Sequence, residues 1–338
     1  MTITTEPPHT NRDPGATRVR ASRTILTRRS LRCALGLLWL LDGALQLQSF
    51  MFTTGFAHQI IDPAATGQPS FVAGPVRWNA DLIGHHPAAF NAVFAGVQLA
   101  LGAGFMVPRF CRWAIAASVA WAGGVWFFGE GMGGLAGGHT TALVGAPGAA
   151  LLYLVLALAA WPPLDRSEFA GPARTPLPPP SWIGRVWAVL WIGFALLNLL
   201  PGNSAASTIG DELAMNGSMS PGWLAGFDGW IGSGVHTMGR GAGVFIVGVE
   251  LAIGLAAWQQ GRLRRPGIWT GIVLTGVYWA AGQSFGALFS GQATDPSTGP
   301  LVMLIGLAAL STTPGSAFPP DEIRGHEFAR RALHADVA

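Results

Sequence analysis

The chain has 338 residues; half are apolar, only 11% are charged, and it holds 14 Trp and 47 Gly. An average soluble domain carries roughly 25% charged residues, so this is not the composition of an ordinary soluble fold, and it favours a polytopic membrane protein. All 20 basic residues are arginine, and the pI near 9.5 reads as a nucleic-acid signal only until those arginines are placed.

Residues 1–30 form an arginine-rich segment expected on the cytoplasmic side. Within it Arg28-Arg29-Ser30-Leu31-Arg32 faintly resembles a twin-arginine signal. The plainer reading is a start-transfer span flanked by cytoplasmic arginines, because no small-residue cleavage site follows. A first four-span unit, 31–161, has apolar stretches at 31–50, 87–107, 113–130 and 143–161. A linker at 162–181 carries Pro162-Pro163, Pro172, Pro176 and Pro178-Pro179-Pro180 and should be an extended cytoplasmic spacer. The second unit, 182–314, has stretches at 182–201, 241–258, 266–286 and 299–314, and 315–338 is a polar cytoplasmic tail. Most stretches reach or approach the ~20 residues that cross a bilayer. Cys33 and Cys111 both fall near cytoplasmic ends, and nothing supports a disulfide or a CxxC redox pair.

The arginines orient these spans. Eighteen fall in the N-terminal segment, the turn with Arg109 and Arg112, the linker region, the turn with Arg262, Arg264 and Arg265, and the tail. The opposite side has only Arg77 and Arg240. The positive-inside rule therefore places both termini in the cytoplasm of a cell-membrane protein. No nucleic-acid partner is expected; the lipid bilayer is the partner that composition implies.

The two units are copies of each other. At an offset of 152, Trp39 matches Trp191, Leu45 Leu197, Trp78 Trp230, Gly96 Gly248 and Gly102 Gly254. One residue later in register, Gly129 matches Gly282, Gly133 Gly286, Gly138 Gly291 and Pro147 Pro300. A register kept over about 110 residues means a duplicated structural unit. Four spans per unit is an even number, so the two copies point the same way, as a parallel repeat about the membrane normal. The expected fold is thus all-α and integral to the membrane, with eight transmembrane helices in two four-helix units.

Each unit has one long outer segment, 51–86 and 202–240. Phe71, Pro75, Trp78 and Leu82 match Trp223, Phe227, Trp230 and Gly234 at i, i+4, i+7, i+11, which lines one helix face with aromatics. A short interfacial helix in the headgroup region is the natural home for such a face, and a lid over an outward pocket is the alternative. Glycine-rich outer segments follow the third span of each unit and contain Gly129, Gly131 and Gly133, then Gly282 and Gly286. Their GxxxG spacing permits close helix contact; the other reading is irregular backbone facing a substrate.

Polar residues inside spans are costly and mark candidate chemistry. Asp42 lies near the middle of the first span with Gln46 one turn on, and Glu250 lies near the middle of the sixth with Gln98 as its counterpart. Glu130 near the outer end of the third span matches Gln283; Asn198 replaces Gln46, and Asp42 faces Phe194. The ionisable members are therefore split between the copies. Histidines 58, 85, 86, 139 and 236 fall on the outer side without a spacing such as HxxxH, and no metal site is expected. There is no P-loop, no GxGxxG after a strand and no nucleophile elbow.

Leu35-Gly36-Leu37-Leu38 with Gly43-Ala44-Leu45-Gln46-Leu47, and Glu250-Leu251-Ala252-Ile253-Gly254 with its copy Gln98-Leu99-Ala100-Leu101-Gly102, resemble the DoxX/DoxD-like family. The resemblance covers both units. It implies small four-helix membrane bundles, some relatives of which are linked to quinone-dependent thiosulfate oxidation or to thiol-stress complexes. From it follows the expectation of a membrane subunit near a quinone, with a redox partner protein. Trp121, Trp126, Phe127, Phe128 and Glu130 would form the aromatic wall and carboxylate of a quinone site. A proton-coupled transporter of a small solute, using Asp42 and Glu250, is the second expectation. A structural or assembly factor is the third. Whether the chain is an enzyme stays open.

Overall fold

The computed structural model describes residues 25–162, 177–218, 220–259 and 261–312. The arginine-rich N-terminus, most of the linker and the tail lie outside them. Among the described residues the protein is all helical, with eleven α-helices joined by 3₁₀ and π turns and no strand. The first unit contains α1 (Arg28–Leu45), α2 (Ser70–His85), α3 (Pro87–Met106), α4 (Cys111–Phe128) and α5 (Ala149–Ala159). The second contains α6 (Ile183–Asn198), α7 (Ala206–Ser218), α8 (Gly222–Met238), α9 (Arg240–Trp258), α10 (Arg264–Val277) and α11 (Thr298–Ser311). Where the second unit has α7, the first has a π turn at Phe56–Ile61 and a 3₁₀ turn at Asp62–Ala65.

All eight apolar stretches become helix, but their lengths differ from expectation. Among the described residues only α3 and α9 are long and apolar enough to cross a membrane by themselves. The stretches at 143–161 and 266–286 contain α5, of 11 residues, and α10, of 14. At ~1.5 Å per residue α5 is about 16 Å long, half of a ~30 Å hydrocarbon layer. The physical reason is the glycine-rich chain after α4 and α10, which is apolar enough to read as span but does not stay helical.

Local sequence explains most boundaries. Thr27 caps α1, its hydroxyl accepting from Ser30 N at 3.0 Å while Ser30 Oγ accepts from Thr27 N, a capping box. Pro87 opens α3 immediately after α2, a position where proline loses no helical hydrogen bond. α1 then packs along α3, and α6 along α9 in the same way. Matched glycines allow it: a Cβ at Gly102 would sit 2.8 Å from Gly36 O, and one at Gly254 would sit 3.1 Å from Ala188 O.

The two units share one core. α5 packs on α11, α1 on α5 and α6 on α11, and a continuous apolar cluster runs from Leu31 and Trp39 through Leu156 to Trp187, Trp191 and Ile305. Polar links cross the same junction. Gln48 Nε2 donates to Ala293 O at 2.9 Å, and Gln283 Nε2 donates to Ala142 O at 3.1 Å. At the opposite end Arg28 Nε donates to Pro178 O and Leu26 N to Ser311 Oγ, joining the start of α1 to the linker and to α11.

α2 and α8 have the aromatic faces expected from their spacing. Phe71, Trp78, Trp223 and Trp230 are each more than half exposed. Leu82 is also exposed, and Phe227 stacks beside Trp230 at 6.3 Å.

Candidate functional site

The glycine-rich segments are not helix–helix contacts. In the first unit Gly131, Met132, Gly133 and Gly134 have φ of 53, 58, 61 and 77°; in the second, Ser284, Phe285, Gly286 and Ala287 have 47, 54, 72 and 54°. Each run is one left-handed turn, a conformation that costs an L-residue roughly 1–2 kcal/mol. Gly129 ends α4 instead of sharing a face with Gly133, and Gly282 ends the π turn after α10, pressed against Leu143 of the first unit. The left-handed turn sends the chain back toward the start of the last helix of its unit.

There the two copies make the same contacts with different residues. Glu130 Oε1 accepts from Ala150 N at 3.0 Å, capping α5; Gln283 Oε1 accepts from Gly299 N at 3.3 Å and from Thr298 Oγ1 at 3.1 Å, capping α11. Trp126 Nε1 donates to Pro147 O at 2.9 Å, and Trp279 Nε1 to Pro296 O at 2.7 Å. The structural partner of Pro147 is therefore Pro296 and not Pro300. The segment is shorter in the second copy: Glu130 caps a nitrogen 20 residues on, Gln283 one 16 residues on. A fixed sequence offset cannot see that deletion.

A cavity of about 480 Å³ lies inside the first unit. Asp42, Gln46, Gln98 and Glu130 all line it, so α1, α3 and the end of α4 bring four of the predicted polar residues together. Its walls include Trp39, Trp78, Phe94, Trp121, Phe128 and Tyr153. Trp39 and Tyr153 lie 4.4 Å apart by ring centroids, Phe94 and Trp121 5.5 Å. Of the aromatic wall expected for a quinone, Trp121 and Phe128 face this cavity, whereas Trp126 is turned to Pro147 and Phe127 does not line it.

Sequence reasoning missed Asp295. It belongs to the second unit, yet it lines the first unit's cavity together with Thr294. Its oxygens accept from Ser297 N at 2.7 Å and Thr294 Oγ1 at 2.8 Å, which hold the carboxyl in place. Burial lifts its pKa above the usual carboxylate range, and those two hydrogen bonds work in the opposite direction. Asp295 sits between apolar stretches in a short turn with no counterpart acid in the first unit, so neither hydropathy nor the repeat marks it.

Beyond this chamber is a second, more polar pocket of about 350 Å³ with Thr66, Gln68, His139, Thr140 and Ser297. Glu130, Asp295, Ala64 and Ala149 border both spaces. The two carboxyls therefore stand at the junction of an aromatic chamber and a polar vestibule. No three His, Cys, Asp or Glu side chains among the described residues are placed to hold a metal ion.

The second unit has a cavity of similar size but different chemistry. Ile209, Leu213, Ile231, Phe245 and Ile246 line it, and the first unit contributes Thr141 and Leu143. No acid is among its lining residues: Glu250, fully buried, accepts from Asn198 Nδ2 at 2.8 Å and from Tyr278 Oη at 2.9 Å, two side chains that do line it. Asn198 and Gln283, predicted as site residues, here hold a buried acid and a helix start. Each unit thus closes the other's cavity with a loop, and only the first cavity stays acidic.

The α7–α8 pair that roofs the second cavity contains two acids with unpartnered buried oxygens, Glu212 and Asp228. Burial raises Glu212 to about 7 and Asp228 to about 6. The folded pair therefore binds more protons than the unfolded one, and its local stability falls as pH rises from ~4 to 7. Amide exchange, corrected for intrinsic rate, should show α7–α8 opening more often at pH 8 than at pH 5, with α3 unchanged; equal protection would refute it.

Compared with family models, curated proteins and solved structures, the chain matches none.

Proposed function

We propose that the chain is a multi-pass cell-membrane protein, with all eight apolar helices crossing or entering the bilayer, both termini cytoplasmic, and a binding chamber for a small solute that it carries across the membrane. The observation that carries this is the cavity of about 480 Å³ in the first unit, where Asp42, Glu130 and Asp295 meet an aromatic wall beside a polar vestibule. Short α5 and α11 fit the reading, because irregular chain at membrane depth survives where it is buried in protein or lines a cavity. So does the asymmetry between copies: one keeps an accessible acidic chamber, the other a covered acid. The exposed aromatics of α2 and α8 serve as headgroup anchors in this arrangement.

The second reading is the quinone-associated subunit implied by the resemblance to DoxX-like proteins. Trp121 and Phe128 beside Glu130 in one cavity favour it. The two readings differ in the ligand and agree on the chamber.

Gly124 offers a test of the chamber itself. It lines the cavity, and a Cβ there meets nothing within 4 Å, so the side chain of Gly124→Phe starts in open space at the chamber wall and is expected to occupy it. Purified protein in lipid nanodiscs is heated with phenethylamine, phenylacetate, 2-phenylethanol or a short-chain ubiquinone. A ligand that binds only the folded state raises the melting temperature. The expected result is that at least one compound stabilises wild type and none stabilises Gly124→Phe. Stabilisation by the quinone alone would favour the redox subunit, and identical responses of both proteins would sink the chamber as a binding site.

A further inference from the structure

Resting on the chamber reading, we infer that its ligand is a small organic cation bearing N–H groups, such as a protonated primary amine, held by Asp42 and Asp295 against the aromatic wall.

Charge is the first argument. Three carboxyls, Asp42, Glu130 and Asp295, line the chamber within electrostatic reach of one another. No arginine or histidine is among the lining residues. Carboxyls gathered in a low-dielectric space keep their charge only beside a counter-charge, and a bound cation supplies one.

Hydrogen bonding narrows the class. Asp42 Oδ1, Gln46 Oε1 and Gln98 Oε1 lack a partner, on side chains only 1, 3 and 8% exposed. All three are acceptors that line the chamber, and Tyr153 lines it beside them. A buried acceptor left unsatisfied costs on the order of 1–3 kcal/mol. The ligand that satisfies this set supplies donors, which an ammonium does and a quaternary ammonium, carboxylate or quinone does not.

The walls complete the class. Trp39, Trp78, Trp121 and Tyr153 line the chamber, and aromatic rings attract cations. They also make the space too large and too apolar for a bare inorganic ion, and no cluster there holds a metal. The second unit supplies the contrast: its cavity has apolar walls, and its acid already has two donors.

Titration calorimetry with the whole protein in nanodiscs tests the class, using four probes of one shape: phenethylamine, 2-phenylethanol, phenylacetate and trimethyl(phenethyl)ammonium. Phenethylamine should bind at least tenfold more tightly than each of the other three. Asp42→Asn should weaken it at least tenfold and leave 2-phenylethanol unchanged. Folding of that variant is expected because the second unit has Phe194 at the matched position and is helical there; Asp295→Asn, in a turn, is the second variant and should act the same way. Tighter binding of the alcohol or the acid, or amine binding insensitive to both substitutions, overturns the inference. If such binding is nevertheless lost in Gly124→Phe, the chamber stands and only its ligand class is wrong. If none of the four probes binds, the inference is overturned as well.

Discussion

Alanine at Gly133 is expected to destabilise the protein by about 2–5 kcal/mol. Two costs add. Gly133 has φ of 61°, which an L-residue adopts only at roughly 1–2 kcal/mol. A Cβ there also runs into the backbone carbonyl of Pro147, and backbone cannot rotate away as a side chain can. That contact sits one residue before the N-cap of α5, so any shift moves Glu130 off Ala150 N and disturbs the chamber. Gly286, its counterpart, meets Pro296 Cα at 2.8 Å and should behave alike. The control is Ala287→Gly, which relieves a φ of 54° and should leave stability unchanged or raise it by about 1 kcal/mol. Thermal unfolding in nanodiscs reads all three. A Gly133→Ala protein that melts with wild type would mean the left-handed turn is not how this segment folds.

Glu250→Ala should cost about 3–5 kcal/mol, whereas Glu250→Gln should cost about 1 kcal/mol or less. Removing the carboxyl leaves Asn198 Nδ2 and Tyr278 Oη as buried donors with their acceptor gone, and opens a hole in a fully buried position. Glutamine keeps an acceptor oxygen at nearly the same volume, and the first unit already uses Gln98 at the matched site. A double substitution, Glu250→Leu with Tyr278→Phe, should recover part of the loss by removing a donor along with its acceptor. Equal melting temperatures for the alanine and glutamine variants would show that the hydrogen-bonded acid carries no stability.

The same internal comparison frames Glu130. Because Gln283 caps α11 as Glu130 caps α5, Glu130→Gln should fold normally and melt within a degree or two of wild type, while Glu130→Ala, which leaves Ala150 N without its cap, should lose about 1–2 kcal/mol. A marked loss of stability in the glutamine variant would mean the charge itself, and not the cap, holds that corner.

Much was legible without coordinates. Helical class, the duplication, the aromatic faces of α2 and α8 and the shared face of Asp42 and Gln46 follow from periodicity and from the scarcity of charge, because a helix places residues three and four apart on one face; that Gln98 and Glu130 join Asp42, and Glu250 does not, was not legible.

What the tertiary structure decided is where the copies meet and how they differ. Hydropathy does not distinguish a span from apolar chain that turns left-handed, so α5 came out shorter than its apolar stretch. A constant offset does not reveal a four-residue difference between Glu130–Ala150 and Gln283–Gly299, so Pro147 was paired with the wrong proline. Above all, Asp295 enters the first unit's chamber from the second. Its place there depends on α5 packing against α11, a contact between residues far apart in the chain that no local pattern encodes.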